Sequence, residues 1–229
     1  MRVTEIESLP EVQASARVLA ELETRGINEA AIAGGWTRTL VAGGDTKDID
    51  ISYIGSVHYE DAQGILAQVL EEINPPNRAL WDVKGIWNAE LADGIKHTVD
   101  NFLLYYLNSI DSIYLASDGK LHDPTGHGFL DAKMKVLRMN NYDIRKGAIT
   151  ASKEVYVCLE NCRRMAKFGW TPTARTVERI TGSVPRWSEL SKDEMDYFVL
   201  RLRTKYSDQD RQSARAVYDV YGWGFVFDL

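Results

Sequence analysis

Residues 31–53 read A31-I-A-G-G-W-T-R-T-L-V-A-G-G-D-T-K-D-I-D-I-S-Y53. The apolar run Ala31-Ile32-Ala33 stops at the pair Gly34-Gly35, and Arg38 follows three residues later. A second pair, Gly43-Gly44, leads into Lys47-Asp48-Ile49-Asp50-Ile51. Period-two alternation puts Asp48 and Asp50 on one face of a strand and Ile49 and Ile51 on the other. Two neighbouring carboxylates repel each other and gain nothing in a core. They fit a site where a hard divalent cation sits between them, because Mg²⁺ takes carboxylate oxygens together with substrate phosphates. A strand, two residues without Cβ and a helix start leave backbone N–H groups pointing over the turn, which is an arrangement that binds phosphate. A phosphate cradle followed by a metal-binding carboxylate pair is equipment for nucleotidyl transfer, in which the protein supplies positioning and electrostatics.

The stretch resembles the signature of the DNA polymerase β-type nucleotidyltransferase superfamily. Within it, it is most similar to the head domain of tRNA CCA-adding enzymes and bacterial poly(A) polymerases, G-G-x-V-R-D followed by a D-x-D strand. Gly34, Gly35 and Arg38 fall on the family's glycines and arginine, and Asp48 and Asp50 on its metal pair. Thr39 stands where the family has aspartate. A second stretch, Asp118-Gly119-Lys120-Leu121-His122-Asp123-Pro124-Thr125-Gly126 and then Leu130 to Arg138, resembles the family's D-G-x-L-x-D-P-x-G-G-x-x-D-L-x-x-K-x-L-R. The family's Arg-Arg-Asp-Phe-Thr-x-Asn block, used for ribose and base contacts, has no counterpart. Counting back from Asp123 lands on Tyr105 to Asp111, without arginines.

The resemblance implies two Mg²⁺ ions held by Asp48 and Asp50, an NTP whose triphosphate rests on Gly34, Gly35 and Arg38, and an RNA 3′ end, such as that of tRNA, as acceptor. Superfamily sites add a third carboxylate from a neighbouring strand. Asp100, a lone acid in the apolar run Val99 to Leu104, is the candidate, because an unpaired charge there is costly to bury. Asp111, before Ile113 and Leu115, is its competitor. Arg38 is either a triphosphate contact or the partner of a surface glutamate, and Lys47 either a phosphate contact or a solvated strand end.

Composition is that of a water-soluble globular chain of 229 residues, with no apolar run of membrane-spanning length and no signal-peptide pattern in Met1 to Glu5. Cys158 and Cys162 lie one helical turn apart, with directions unfavourable for a disulfide and nothing nearby to complete a zinc site, so reduced thiols in a cytoplasmic protein are expected. Residues 1–142 hold 12 Lys+Arg against 21 Asp+Glu, and residues 143–229 hold 15 against 12. Strong nucleic-acid binding needs clustered Lys and Arg, which this balance does not supply. Arg163, Arg164 and Lys167 could track a nucleic-acid backbone, or they are the charged end of a helix.

In chain order, Ser8-Leu9-Pro10-Glu11 predicts a helix with a Ser N-cap, ended by Gly26. A buried strand over 27–33 follows, then a short helix over 36–41 and the carboxylate strand over 47–54. A helix over 59–73 stops at Asn74-Pro75-Pro76, and strands over 78–86, 95–107 and 110–116 lead to a hairpin turn at Ser117 to Lys120. From Tyr142 the pattern is helical, over 143–168, from Thr171, from Ser191 (a capping box with Glu194) and over 208–221, with an aromatic tail. The expected architecture is an α/β (α+β) nucleotidyltransferase head with a mixed sheet over 1–140 and an all-helical, neck-like domain over 141–229. Three functions follow from it: RNA 3′-end nucleotidyl transfer, transfer to a protein or small molecule, and nucleotide binding without catalysis.

Overall fold

The computed structural model describes residues 2–44, 48–86, 98–104, 108–140 and 150–229. Lys47 lies outside the described residues. The chain divides into two compact units, the first reaching Met134 and including Asn140, the second beginning with Lys135–Met139 and continuing with residues 150–229.

The first unit contains, in order, α1 (Val3–Glu7), α2 (Pro10–Thr24), β1 (Ala31–Ala33), α3 (Gly35–Ala42), β2 (Ile49–Tyr53) and α4 (Tyr59–Ile73). These are followed by β3 (Trp81–Ile86), α5 (Val99–Leu103), β4 (Tyr114–Leu115), β5 (Leu121–His122) and α6 (Gly128–Met134). The strands form a mixed sheet in the order β3-β2-β1-β4-β5. Within this sheet, among the described residues, only β2 and β3 run parallel, and α4 supplies the crossover such a pair requires. Ile32 lies opposite Ile51 in the β1–β2 register and Ile51 opposite Val83 in the β2–β3 register. All three are buried, and α4 packs on β3 and against α2. Each such aliphatic side chain contributes about 1.5–3 kcal/mol on burial, so this face fixes the register that presents Asp50 on the other.

Several expectations are corrected here. Ser8 closes α1 rather than capping α2: its hydroxyl donates to the Glu5 carbonyl at 2.8 Å, and α2 opens at Pro10. The run expected as a strand over 95–107 is helical at Val99–Leu103. Thr98 accepts the Asn101 N–H as N-cap, and Val99, Phe102 and Leu103, spaced i, i+3, i+4, are buried together. The expected strand over 110–116 shrinks to β4, preceded by a 3₁₀ turn at Ser109–Asp111.

The second unit is built from β6 (Val136–Leu137), α7 (Ala151–Phe168), β7 (Thr171–Pro172), α8 (Ala174–Gly182), α9 (Lys192–Lys205) and α10 (Asp208–Val220). The parallel β6–β7 pair is a two-residue ladder in an otherwise helical unit, and it delays the helix expected from Thr171 until Thr173 caps α8. Trp223 is fully buried, its indole N–H donating to the Ile180 carbonyl at 2.9 Å, and Tyr218 donates to the Leu159 carbonyl at 3.0 Å. Both cysteines are free, and burial pushes the Cys158 thiol up to about 12. Arg163 pairs with Glu160 at 2.8 Å and Arg164 is buried, so with Lys167 they make no open basic face. No helix among the described residues is long and apolar enough to cross a membrane.

Two buried carboxylates organise α7. Glu154 takes a two-pronged contact from Arg179 at 2.7 and 2.8 Å, and Glu160 is held by Arg163 and by Arg201 at 3.1 Å. Burial alone would raise both carboxyls. The arginines outweigh it and leave both below the ordinary value of 4.5. A depressed carboxyl adds stability that is present above its ordinary value and lost as pH falls through the lowered one. The Glu154→Gln, Glu160→Gln double variant is therefore expected to lose less stability than the parent between about pH 5 and about pH 3, read as urea midpoints. Equal losses would contradict this.

Candidate functional site

The site begins where β1 ends. Gly34 has φ 82° and ψ −114°, a conformation that residues with a Cβ rarely adopt, and it is the N-cap of α3 without any side-chain cap. The first N–H groups of α3 therefore meet no capping side chain, and the helix dipole adds positive potential there. A Cβ placed on Gly35 would lie 4.0 Å from Arg38 Nη2, so the guanidinium folds back over this same turn. Gly43, with φ 76°, closes α3 by donating to the Thr39 carbonyl.

Arg38 is steered by a residue far along the chain. Its Nη1 meets Asp111 Oδ1 at 2.5 Å, and Asp111 is only 2% exposed. The acid considered as a competing third metal ligand is thus the partner of the arginine. Thr37 fastens α3 to the same segment by donating to the Ile113 carbonyl at 2.7 Å. The D-P-x-G stretch holds that segment in place. Asp123 accepts the Thr125 hydroxyl at 2.7 Å and the Phe129 N–H at 3.2 Å, and the buried Ser109 hydroxyl donates to Asp131 at 2.6 Å. The second motif is therefore a scaffold for Asp111, and through it for Arg38.

The carboxylates come in from β2. Ile49 and Ile51 are buried as the alternation demands, Asp50 is partly buried and Asp48 is exposed just before the strand. Ala31 lies opposite Ser52 and Ile32 opposite Ile51. This register carries Asp50 alongside Ala33, the residue preceding Gly34, about 5 Å away between Cα atoms. The start of β2, which carries the acids, and the glycine turn after β1 therefore lie at the same end of the sheet.

Asp100 does not join them from a strand. It is an exposed residue of α5, and it accepts a hydrogen bond from the Tyr114 hydroxyl at 2.8 Å. Burial, and then this contact, raises the Tyr114 phenol well above its ordinary value. The carboxylate opposite Asp50 is instead Asp82, its direct partner in the parallel β2–β3 register. The run Trp81-Asp82-Val83-Lys84 carried the signal: Trp81 and Val83 are buried, and the acid alternates with them.

Lys84 completes the cluster, with Nζ 3.4 Å from Asp50 Oδ1 and 3.8 Å from Asp82 Oδ2. The charge of Asp50 raises the Lys84 ammonium above the ordinary lysine value against the opposing effect of burial, and the charges of Asp82 and then Asp48 add to it more weakly. Asp50 Oδ1 is itself buried and has no hydrogen-bond partner, so its contact with Nζ is an ion pair without hydrogen-bond alignment. A carboxylate oxygen withdrawn from water and left unbonded fits a hard cation, as does the all-carboxylate donor set. Among the described residues no group of three or more His, Cys, Asp or Glu side chains is placed to hold a metal ion.

No protein-family model matches the chain, and no curated protein matches its sequence. Solved structures do match. The CCA-adding enzyme of Bacillus stearothermophilus in complex with CTP superposes with a TM-score of 0.63 at 15% identity, over 92% of this chain and 52% of that one. The Thermotoga maritima CCA-adding enzyme complexed with tRNA gives 0.62 at 14%, over 96% and 54%. A further CCA-adding enzyme with CTP gives 0.66 at 16%, over 96% and 55%. The chain has the fold of the matched part of these enzymes, and it spans about half of their length.

Proposed function

We propose that this chain is a Mg²⁺-dependent nucleotidyltransferase that moves a nucleoside monophosphate from an NTP to the 3′ hydroxyl of an RNA and releases pyrophosphate. The observation that carries the reading is the pairing of Asp50 with Asp82 one residue away from an uncapped glycine turn overhung by Arg38. The shared fold adds support, since the matched structures hold CTP in two cases and tRNA in another.

In this reading Asp50 and Asp82, with Asp48 just before them, would hold magnesium, which would offset triphosphate charge and acidify the acceptor hydroxyl. The N–H groups of Gly35 and the next residues of α3 receive phosphate oxygens, and Arg38 adds a charge-assisted donor fixed by Asp111. Residues 1–140 would then be the nucleotidyltransferase head and residues 141–229 a neck-like domain. A protein or small-molecule acceptor is the second reading, favoured by the excess of acidic residues in 1–142.

The test is incubation with α-³²P-labelled NTPs and Mg²⁺, with tRNA, with other RNA, and without RNA. Label in RNA supports the proposal. Label in protein or a small molecule moves it to the second reading, and nucleotide binding without pyrophosphate release contradicts both.

A further inference from the structure

The β2–β3 ladder breaks at one point. Ile51 faces Val83 but Ser52 faces Gly85, so Lys84 is an extra residue bulged out of a parallel pair. Bulges are uncommon between parallel strands, and they re-aim the side chain they carry. Gly85 follows with φ 158°, so the backbone recovers from the bulge at a residue without a side chain. The re-aimed side chain is a lysine, 57% exposed and long enough to reach bulk water. Its Nζ lies instead over two carboxylates on adjacent strands, one of which has an oxygen that is buried and otherwise unbonded. Holding a flexible lysine there costs rotamer entropy, which the ion pairs must offset.

We propose that Lys84 is a tethered cation that fills the gap between Asp50 and Asp82, and that a divalent ion entering this gap must displace it. The inference rests on the nucleotidyltransferase reading of the site. In the absence of nucleotide the ammonium neutralises the acidic pair and keeps divalent-ion affinity low. An arriving triphosphate offers the ammonium phosphate oxygens within reach of its stem, so nucleotide and metal enter together. Metal binding is thereby coupled to NTP binding, which opposes idle occupancy of the carboxylates.

The experiment is titration of the whole chain with Mn²⁺ alone, without nucleotide or RNA, followed by the EPR signal of the free ion. The parent is compared with Lys84→Met, Lys84→Arg and the Lys84→Met, Asp82→Asn double variant, each checked for parental thermal unfolding. Lys84→Met removes one positive charge beside the ion and is expected to tighten Mn²⁺ binding on the order of tenfold. Lys84→Arg should stay near the parent, and adding Asp82→Asn should abolish the gain. Mn²⁺ affinity in Lys84→Met equal to or below the parent's overturns the proposal, as does an unaltered gain when Asp82 is also replaced. Pyrophosphate release, measured separately on the parent, keeps the two ideas apart. Release with no tightening in Lys84→Met sinks the role of the lysine alone, whereas tightening with no release sinks the enzyme reading alone.

Discussion

Replacing Asp48 and Asp50 together by asparagine is expected to lower Mg²⁺-dependent pyrophosphate release by about a thousandfold or more and to leave the fold intact. The substitution keeps the size of both side chains and removes the two charges proposed to hold the cation. Metal stabilisation of the transferring phosphoryl group amounts to several kcal/mol, and each 1.36 kcal/mol is about tenfold in rate. The fold survives because Ile49 and Ile51, on the opposite face of β2, carry the packing and remain buried. Removing charge from Asp50 gives up its ion pair with the half-exposed Lys84 and relieves a buried oxygen that lacks a hydrogen bond, so stability should stay near the parent's. A double variant that keeps its activity, or loses it by unfolding, contradicts the assignment.

The second large effect is structural. A Cβ added at Gly128 would lie 2.6 Å from the Ser109 carbonyl oxygen, 2.8 Å from Ile113 Cγ1 and 3.0 Å from Asp123 Oδ1. One of these is backbone and cannot swing aside, so the start of α6 must move away from the Ser109–Ile113 segment. Overpacking of this kind costs about 3 kcal/mol, equivalent to roughly 10 °C in Tm for a unit of this size. The damage should also reach nucleotide affinity, because that segment carries Asp111 and so aims Arg38. Gly64→Ala in α4 is the matched control. Nothing lies within 4 Å of its added Cβ, and a helix interior favours alanine, so this variant should gain about 0.5–1 kcal/mol. Equal Tm values for the Gly128→Ala variant and the parent would refute the packing argument.

What the sequence made readable was local. The glycine turn, the Asp48-x-Asp50 alternation and the helix over 59–73 each rest on contacts within a few residues, and the structure forms all three. Asp82 escaped because its meaning lies in a partner 32 residues upstream. Only the parallel register, set by buried Ile51 and Val83, turns an ordinary acid into the neighbour of Asp50. Asp100 was misplaced because an apolar run was read as a strand. Thr98 as a cap and the spacing of Val99, Phe102 and Leu103 favour a helical turn there. The Arg38–Asp111 pair spans 73 residues and carries no local signal. The bulge at Lys84 has none either, beyond a glycine following a lysine in a strand.

The account comes down to whether an NTP and its metal occupy the end of the sheet where the glycine turn meets the carboxylates. A crystal structure of the chain with Mn²⁺ and a non-hydrolysable NTP, its metal located by anomalous scattering, tests this most directly. The account predicts manganese bound by oxygens of Asp50 and at least one of Asp48 and Asp82, with triphosphate oxygens on the N–H groups at the start of α3. Nucleotide bound elsewhere, or manganese absent from these carboxylates while nucleotide is present, would contradict it.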